Sequence, residues 1–149
     1  MADPNPTPPV PPQKSAGQRG EINPAWLDEI SGTEKLAAAT EPVWAVTPEK
    51  LREAVRRLVD AAHPRRIILF GSRARGEAHE DSDVDLLIVL AEVKDRVAEM
   101  VRLTRVLRGL ILPAELLVVS QAMFDDWSDL PGTVYYDARR EGQTLYDAA

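Results

Sequence analysis

The sequence predicts a small α/β domain, and three observations carry that prediction. Three short apolar runs, 67–70, 84–89 and 115–119, are rich in Ile, Leu and Val and bounded by Pro, Gly or polar residues, which suits buried strands rather than helices. Around them, apolar residues recur at helical spacing with charges in between. The chain is 44% hydrophobic but only 5% aromatic, so its core is built from Leu, Val, Ile and Ala. At 149 residues there is room for one domain of ordinary size.

Composition excludes several classes of function. With 18 Lys plus Arg against 24 Asp plus Glu, the net charge of −6 disfavours a non-specific nucleic-acid binder that works by counterion release. There is no cysteine, which removes disulfide frameworks, thiolate zinc sites and cysteine nucleophiles; a metal must be held by oxygen or histidine. The N-terminus lacks the apolar core of a secretory signal and no stretch approaches a membrane span, so a soluble, cytoplasmic protein is the expectation.

Nine of the twelve prolines fall in the first 48 residues, six of them between Pro4 and Pro12. Residues 1–45 therefore read as a Pro-rich, largely disordered tail, a linker rather than an SH3-type ligand. Asn23-Pro24 ahead of Trp26, Leu27 and Ile30 predicts a short helix near 24–31 within it. The folded domain is expected over 46–149. Thr47-Pro48 is a cap followed by a first-turn proline, and Leu51, Val55, Leu58, Val59 and Ala62 come next at helical spacing until His63-Pro64 stops the helix.

The first strand, 67–70, ends at Gly71, and a polar stretch leads to the second, 84–89. Val93, Val97, Met100, Leu107 and Ile111 predict a long helix over 93–110. After Pro113 comes the third strand, 115–119; Ser120 then caps a short helix with Phe124 and Trp127. Pro131 is expected to open a last helix carrying Val134, Tyr135 and Ala138 and closing at Gly142, before a short edge strand over 143–146.

The chemistry concentrates between the first two strands. A buried strand running into Gly71-Ser72 and then a short helix would present free backbone N–H groups and the Ser72 hydroxyl to a phosphate. Asp83 and Asp85, two residues apart at a strand entrance, share one face of the sheet. Like charges so placed repel, and a divalent cation compensates them; Mg²⁺ characteristically takes one or two carboxylates together with phosphate oxygens and water. Glu115, at the start of the next strand, would join them if the second and third strands are neighbours. Three carboxylates, two Mg²⁺ ions and a phosphate-binding turn are the parts of a two-metal phosphoryl or nucleotidyl transfer site.

Gly71-Ser72, ten residues, then Asp83-Val84-Asp85 resembles the signature of the DNA polymerase β nucleotidyltransferase superfamily, and within it the minimal nucleotidyltransferase branch. Four such positions match by chance in about one chain of this size in several hundred, given a background of roughly 5–7% per residue type. The string GSRARG, the strand SDVDLLIV, the acid on the third strand and the closing ARREGQTLY stand in the same order as in that family. The resemblance spans about 47–146. It implies a polymerase β-like fold, a short mixed sheet with flanking helices, and transfer of a nucleoside monophosphate, AMP from ATP, to a hydroxyl. Gly71, Ser72, Arg73 and Arg75 then hold the triphosphate, while Asp83, Asp85 and Glu115 hold the metals or act on the nucleophile. Glu115 departs from the pattern, which more often has Asp there.

Many stand-alone members of that branch are antitoxins paired with a HEPN-domain toxin, and some silence it by attaching AMP to a tyrosine; the resemblance implies such a partner. Larger relatives append a domain that grips the acceptor; none is visible here, which agrees with an acceptor supplied in trans. Two other readings remain beside this one: a module of the same fold that neutralises its partner by contact alone, and transfer to a small molecule such as an aminoglycoside. Several residues have plainer readings. Arg73 and Arg75 serve equally as triphosphate contacts or as plain surface charge, or one of them pairs with an acid in the loop, and His79, which could line the site, reads more simply as a solvated loop residue. His63 sits at a helix end facing the dipole, and Tyr135 and Tyr136 divide between core and surface. Arg102, Arg105 and Arg108 form a solvated face or a docking strip for an acidic partner.

Overall fold

A computed structural model describes residues 43–78 and 83–148. The expected tail and its helix near 24–31 lie outside the described residues, as does His79.

Helix α1, Pro48–Ala62, starts where the cap and proline predict: the Thr47 hydroxyl accepts the Lys50 N–H at 3.2 Å. Its inward stripe, Leu51, Ala54, Val55 and Leu58, is buried, and His63 closes the helix in a left-handed conformation with its N–H on the Val59 carbonyl. Next come strands β1 (Arg66–Phe70) and β2 (Val84–Leu90), helix α2 (Arg96–Val106), strand β3 (Ala114–Ser120), helices α3 (Gln121–Trp127) and α4 (Val134–Glu141), and strand β4 (Gln143–Asp147).

Helix α2 is shorter than the expected 93–110. Asp95 caps it by accepting the Ala98 N–H at 3.0 Å, so Val93 packs against the core from outside the helix. At its far end the Leu107 and Leu110 amides reach back only three residues and Gly109 turns the chain at φ +86°. Of its apolar residues Leu103 is wholly buried, whereas Val97 is 70% exposed. The last helix likewise opens at Thr133, whose hydroxyl accepts the Tyr136 N–H at 3.1 Å, rather than at Pro131, which lies in the preceding turn.

The described residues form a four-stranded mixed sheet ordered β3-β2-β1-β4. Strand β1 pairs antiparallel with both β2 and β4, while β2 and β3 run parallel, joined by the crossover through α2 that a parallel pair requires. Helices α1 and α2 cover one face: Leu51, Val55, Leu58 and Leu103 pack with Val84, Leu86, Ile88 and Leu90. Helices α3 and α4 cover the other, where Phe124, Tyr135 and Ala138 meet Ile68, Leu87, Val89 and Val119. At Gly142 the chain passes so close to β1 that a Cβ would run into the Ala138 carbonyl and stand 2.5 Å from Ile68 Cγ2.

One backbone feature stands apart. Ile111, in the connection from α2 to β3, adopts φ +49°, a conformation that costs an L-residue on the order of 1–2 kcal/mol and is rare for a β-branched one. No helix among the described residues is long and apolar enough to cross a membrane.

Candidate functional site

The site lies where the end of β1 and the starts of β2 and β3 meet. In the ladder Asp85 stands opposite Phe70 on one side and Glu115 on the other. Neighbours in register on parallel strands project to the same face, so the condition set for Glu115 is met: β2 and β3 are adjacent, and its carboxylate stands beside that of Asp85. Asp83 precedes them at the rim. It and Glu115 are exposed and Asp85 is half-buried, whereas Leu87 and Val89, further along the same face of β2, are fully buried.

Burial pushes the Asp85 carboxyl above the ordinary aspartate range, and the negative charges of Glu115 and Asp83 push it further. A side-chain hydrogen bond with Glu115 acts in the same direction, since one carboxyl must carry a proton to donate to the other. The Arg75 guanidinium opposes the shift.

Gly71 explains how Asp85 fits. It has φ +75°, and a Cβ built on it would run into Asp85 Oδ2. The glycine therefore admits the carboxylate, in addition to any approach by a phosphate. Beyond it, residues 72–76 form a single turn rather than the expected helix: the Arg75 N–H reaches the Gly71 carbonyl at 3.2 Å and the Glu77 N–H the Ser72 carbonyl at 2.9 Å. The amides at the start of this turn precede any carbonyl it could offer them. Arg75 pairs with Glu77 at 3.1 Å and with Glu141, at the end of α4, at 3.7 Å.

The model of the family described as "Nucleotidyltransferase domain" matches residues 48–130, more than half of the chain. The chain belongs to the nucleotidyltransferase domain family. The matched span begins with α1 and runs through the turn after α3, so it contains Gly71, Ser72, Arg73, Arg75, Asp83, Asp85 and Glu115; α4 and β4 lie beyond it. No curated protein matches the sequence. Among solved structures the chain is similar to a candidate nucleotidyltransferase from Sulfolobus solfataricus (25% identity, TM-score 0.44, covering 52% of this chain and 70% of that one). It is also similar to a toxin-antitoxin with AMP-PNP (20%, 0.45, 66% and 72%) and to a mutant of the toxin-antitoxin MntA-HpeT (18%, 0.45, 64% and 72%).

In this nucleotidyltransferase domain the sequence-predicted residues fall into two groups. Gly71, Asp85 and Glu115 converge, with Asp83 within reach of their charge. Ser72 and Arg73 lie on the turn, half-buried, and Arg75 is turned toward two carboxylates instead of standing ready for an anion. Sequence reading missed Glu141; no local signal marks it, because it reaches Arg75 from a helix some sixty-five positions away. Glu77, two residues from Arg75, was legible as an acid of the loop.

Whether Mg²⁺ suits these residues turns on the donor set. Three carboxylates offer the hard oxygens it takes, and their mutual repulsion, opposed only in part by Arg75, is what a cation would relieve. Among the described residues no group of three such side chains is already arranged as an ion would need, and Asp83 stands exposed at the rim. The set fits in chemistry and charge.

Proposed function

We propose that this nucleotidyltransferase domain, residues 46–149, is a cytoplasmic enzyme that moves a nucleoside monophosphate, AMP from ATP, to a hydroxyl on a partner protein. The acceptor is a tyrosine of a HEPN-domain toxin, which the transfer silences. The observation that carries the reading is the register of Asp85 with Glu115 beside Gly71, which gathers at one sheet edge the acids and the turn that nucleotidyl transfer needs. The antitoxin role rests on the resemblance of Gly71-Ser72 and Asp83-Val84-Asp85, with their spacing, to the minimal branch.

In the reaction the acceptor oxygen bonds to the α-phosphorus, the bond from that phosphorus to the β-phosphate oxygen breaks, and pyrophosphate leaves. Gly71 and Ser72 hold the triphosphate on the turn. Asp83, Asp85 and Glu115 would hold Mg²⁺, two ions in all, which when bound supplies neutralisation of the triphosphate charge. Glu115, the more exposed of the in-register pair, is suited to take the acceptor's proton. Arg75 reaches the phosphates by exchanging Glu141 or Glu77 for them, and Arg73 assists from the same turn. The protein's part is positioning and fixed charge.

The test is transfer of label from α-labelled ATP, with Mg²⁺, to proteins of the source-cell lysate, comparing wild type with Asp83→Asn/Asp85→Asn. A labelled band that needs both aspartates supports the enzyme and reports the acceptor's size. A second reading, a module that silences its partner by contact alone, draws on one observation: among the described residues no three acids are arranged to hold an ion. Partner silencing that survives the double substitution would favour it.

A further inference from the structure

Lys50 makes an unusual set of bonds for a lysine on the first turns of a helix. Its ammonium donates to the carbonyls of Val43, of Ala45 at 2.9 Å and of Ile111 at 3.1 Å, which engages all three of its donors with backbone oxygens. The third acceptor is the left-handed Ile111. That residue is 54% exposed, so packing does little to hold it in a conformation its side chain resists. The bond from Lys50 does.

The chain beyond Ile111 is stiff. Leu112 precedes a proline and is confined to extended backbone, and Pro113 has its φ locked by its ring. The Pro113 carbonyl then accepts the Val84 N–H at 2.8 Å, the first bond between the two strands that bear the acids, and Ala114 and Glu115 come next. Further along β3, Leu116, Val118 and Val119 are anchored by burial; Glu115 is exposed and lies one pair in from the end of the ladder, where Leu112 and Ala114 are only partly buried against the core. A carbonyl fixed at 111 is thus transmitted through two restricted residues, Leu112 and Pro113, and the first ladder residue, Ala114, to the side chain that stands against Asp85.

We propose that Lys50 is a positioning residue for Glu115: by clamping the strained Ile111 to α1 it sets the start of β3 and so the placement of the Glu115 carboxylate beside Asp85. This rests on the reading of Glu115 as part of the transfer site. Its structural half can be measured without any activity.

The experiment uses the full chain and four proteins: wild type, Lys50→Met, Ile111→Gly and the double variant, all held well below their melting temperatures. Two quantities are read: kcat and KM for ATP in transfer to the acceptor, and hydrogen exchange of the Val84 amide. In Lys50→Met the Val84 amide should exchange at least about tenfold faster and kcat should fall about tenfold, with KM for ATP changed less than about twofold. Glycine adopts φ +49° without resistance but does not hold it, so Ile111→Gly alone, with the Lys50 bond in place, should leave kcat within about twofold, whereas in the Lys50→Met background it should restore neither quantity. If Lys50→Met does not fold, Lys50→Gln takes its place.

Unchanged Val84 exchange in a folded Lys50 variant would overturn the proposal, because the sheet alone would then set Glu115. Loosened exchange with unchanged kcat would overturn it too, leaving Lys50 a structural tie. If wild type transfers no nucleotide to any acceptor, the proposed function fails, and the structural half of the positioning claim stands or falls on Val84 exchange in the Lys50 variant.

Discussion

The two faces of strand β2 differ in how far burial extends. On the face toward α1 and α2, Val84, Leu86, Ile88 and Leu90 are buried along the whole strand, including Val84 at the very end that carries the site. On the face toward α3 and α4, Leu87 and Val89 are buried but the stripe ends in the half-buried Asp85 and the exposed Asp83. One face is a dry platform; the other begins dry and ends in repelling carboxylates. Residues one step apart on a single strand thus do opposite things, and the difference teaches that the unfavourable charges of the site are held in place by hydrophobic packing on the far side of the same backbone.

The largest effect expected is on activity, from the polar end. Asp85→Asn should lower transfer by about 10²–10³-fold, the range typical when a group that stabilises transition-state charge is removed, without lowering the melting temperature. A variant that transfers normally would remove Asp85 from the chemistry. The platform should behave in the opposite way. Leu86→Ala should lose about 2–5 kcal/mol of stability in urea unfolding, and what remains folded should still transfer nucleotide.

The two crowded glycines sharpen the comparison further. Gly142→Ala pushes a methyl between the Ala138 carbonyl and Ile68, so a loss of about 1–3 kcal/mol is expected in the same unfolding assay, with transfer intact in the folded fraction. Gly71→Ala combines a left-handed φ with a collision against Asp85 Oδ2, and should lower stability by a similar amount while also displacing the carboxylate and slowing transfer. Equal activity in the two folded variants would contradict the assignment of Gly71 to the site.

The smallest effect is electrostatic. The carboxyl of Asp85 holds its proton to higher pH in the folded chain than in the unfolded one. Stability from this group is therefore fully present below the unfolded value, about pH 4, and lost as pH rises through the folded one. In chelator-treated protein the advantage of Asp85→Asn over wild type should grow from about pH 4 toward neutrality and level off at about 0.2–1 kcal/mol, the scale of like charges facing each other across strands. A difference in melting temperature that stays flat with pH would show that neither burial nor the charges of Glu115 and Asp83 raise the Asp85 carboxyl.

Much of this was legible in the linear chain, and the failures have physical causes. The apolar runs of β1, β2 and β3 and the Thr47-Pro48 start of α1 were readable because burial and capping act over a few residues. The extent of α2 was not: Val93, Val97 and Ile111 keep the helical period, but Asp95 caps the helix after Val93, Val97 faces outward and Ile111 lies in a strained turn. Periodicity reports what could be buried, and capping and packing decide what is. The stretch after Gly71, expected to open a short helix, closes after one turn.

By itself the sequence determined that Asp85 shares a face with Leu87 and Val89, because strand alternation is a consequence of local covalent geometry, and that a glycine stands where β1 ends. Only the tertiary structure decided that Glu115 comes into register with Asp85, that Gly71 makes room for that carboxylate, that Arg75 is shared between Glu77 and Glu141, and that Lys50 holds Ile111. Except for the contact of Arg75 with Glu77, these join residues far apart in the chain, and such pairings are fixed by the packing of whole elements rather than by the residues' neighbours in sequence.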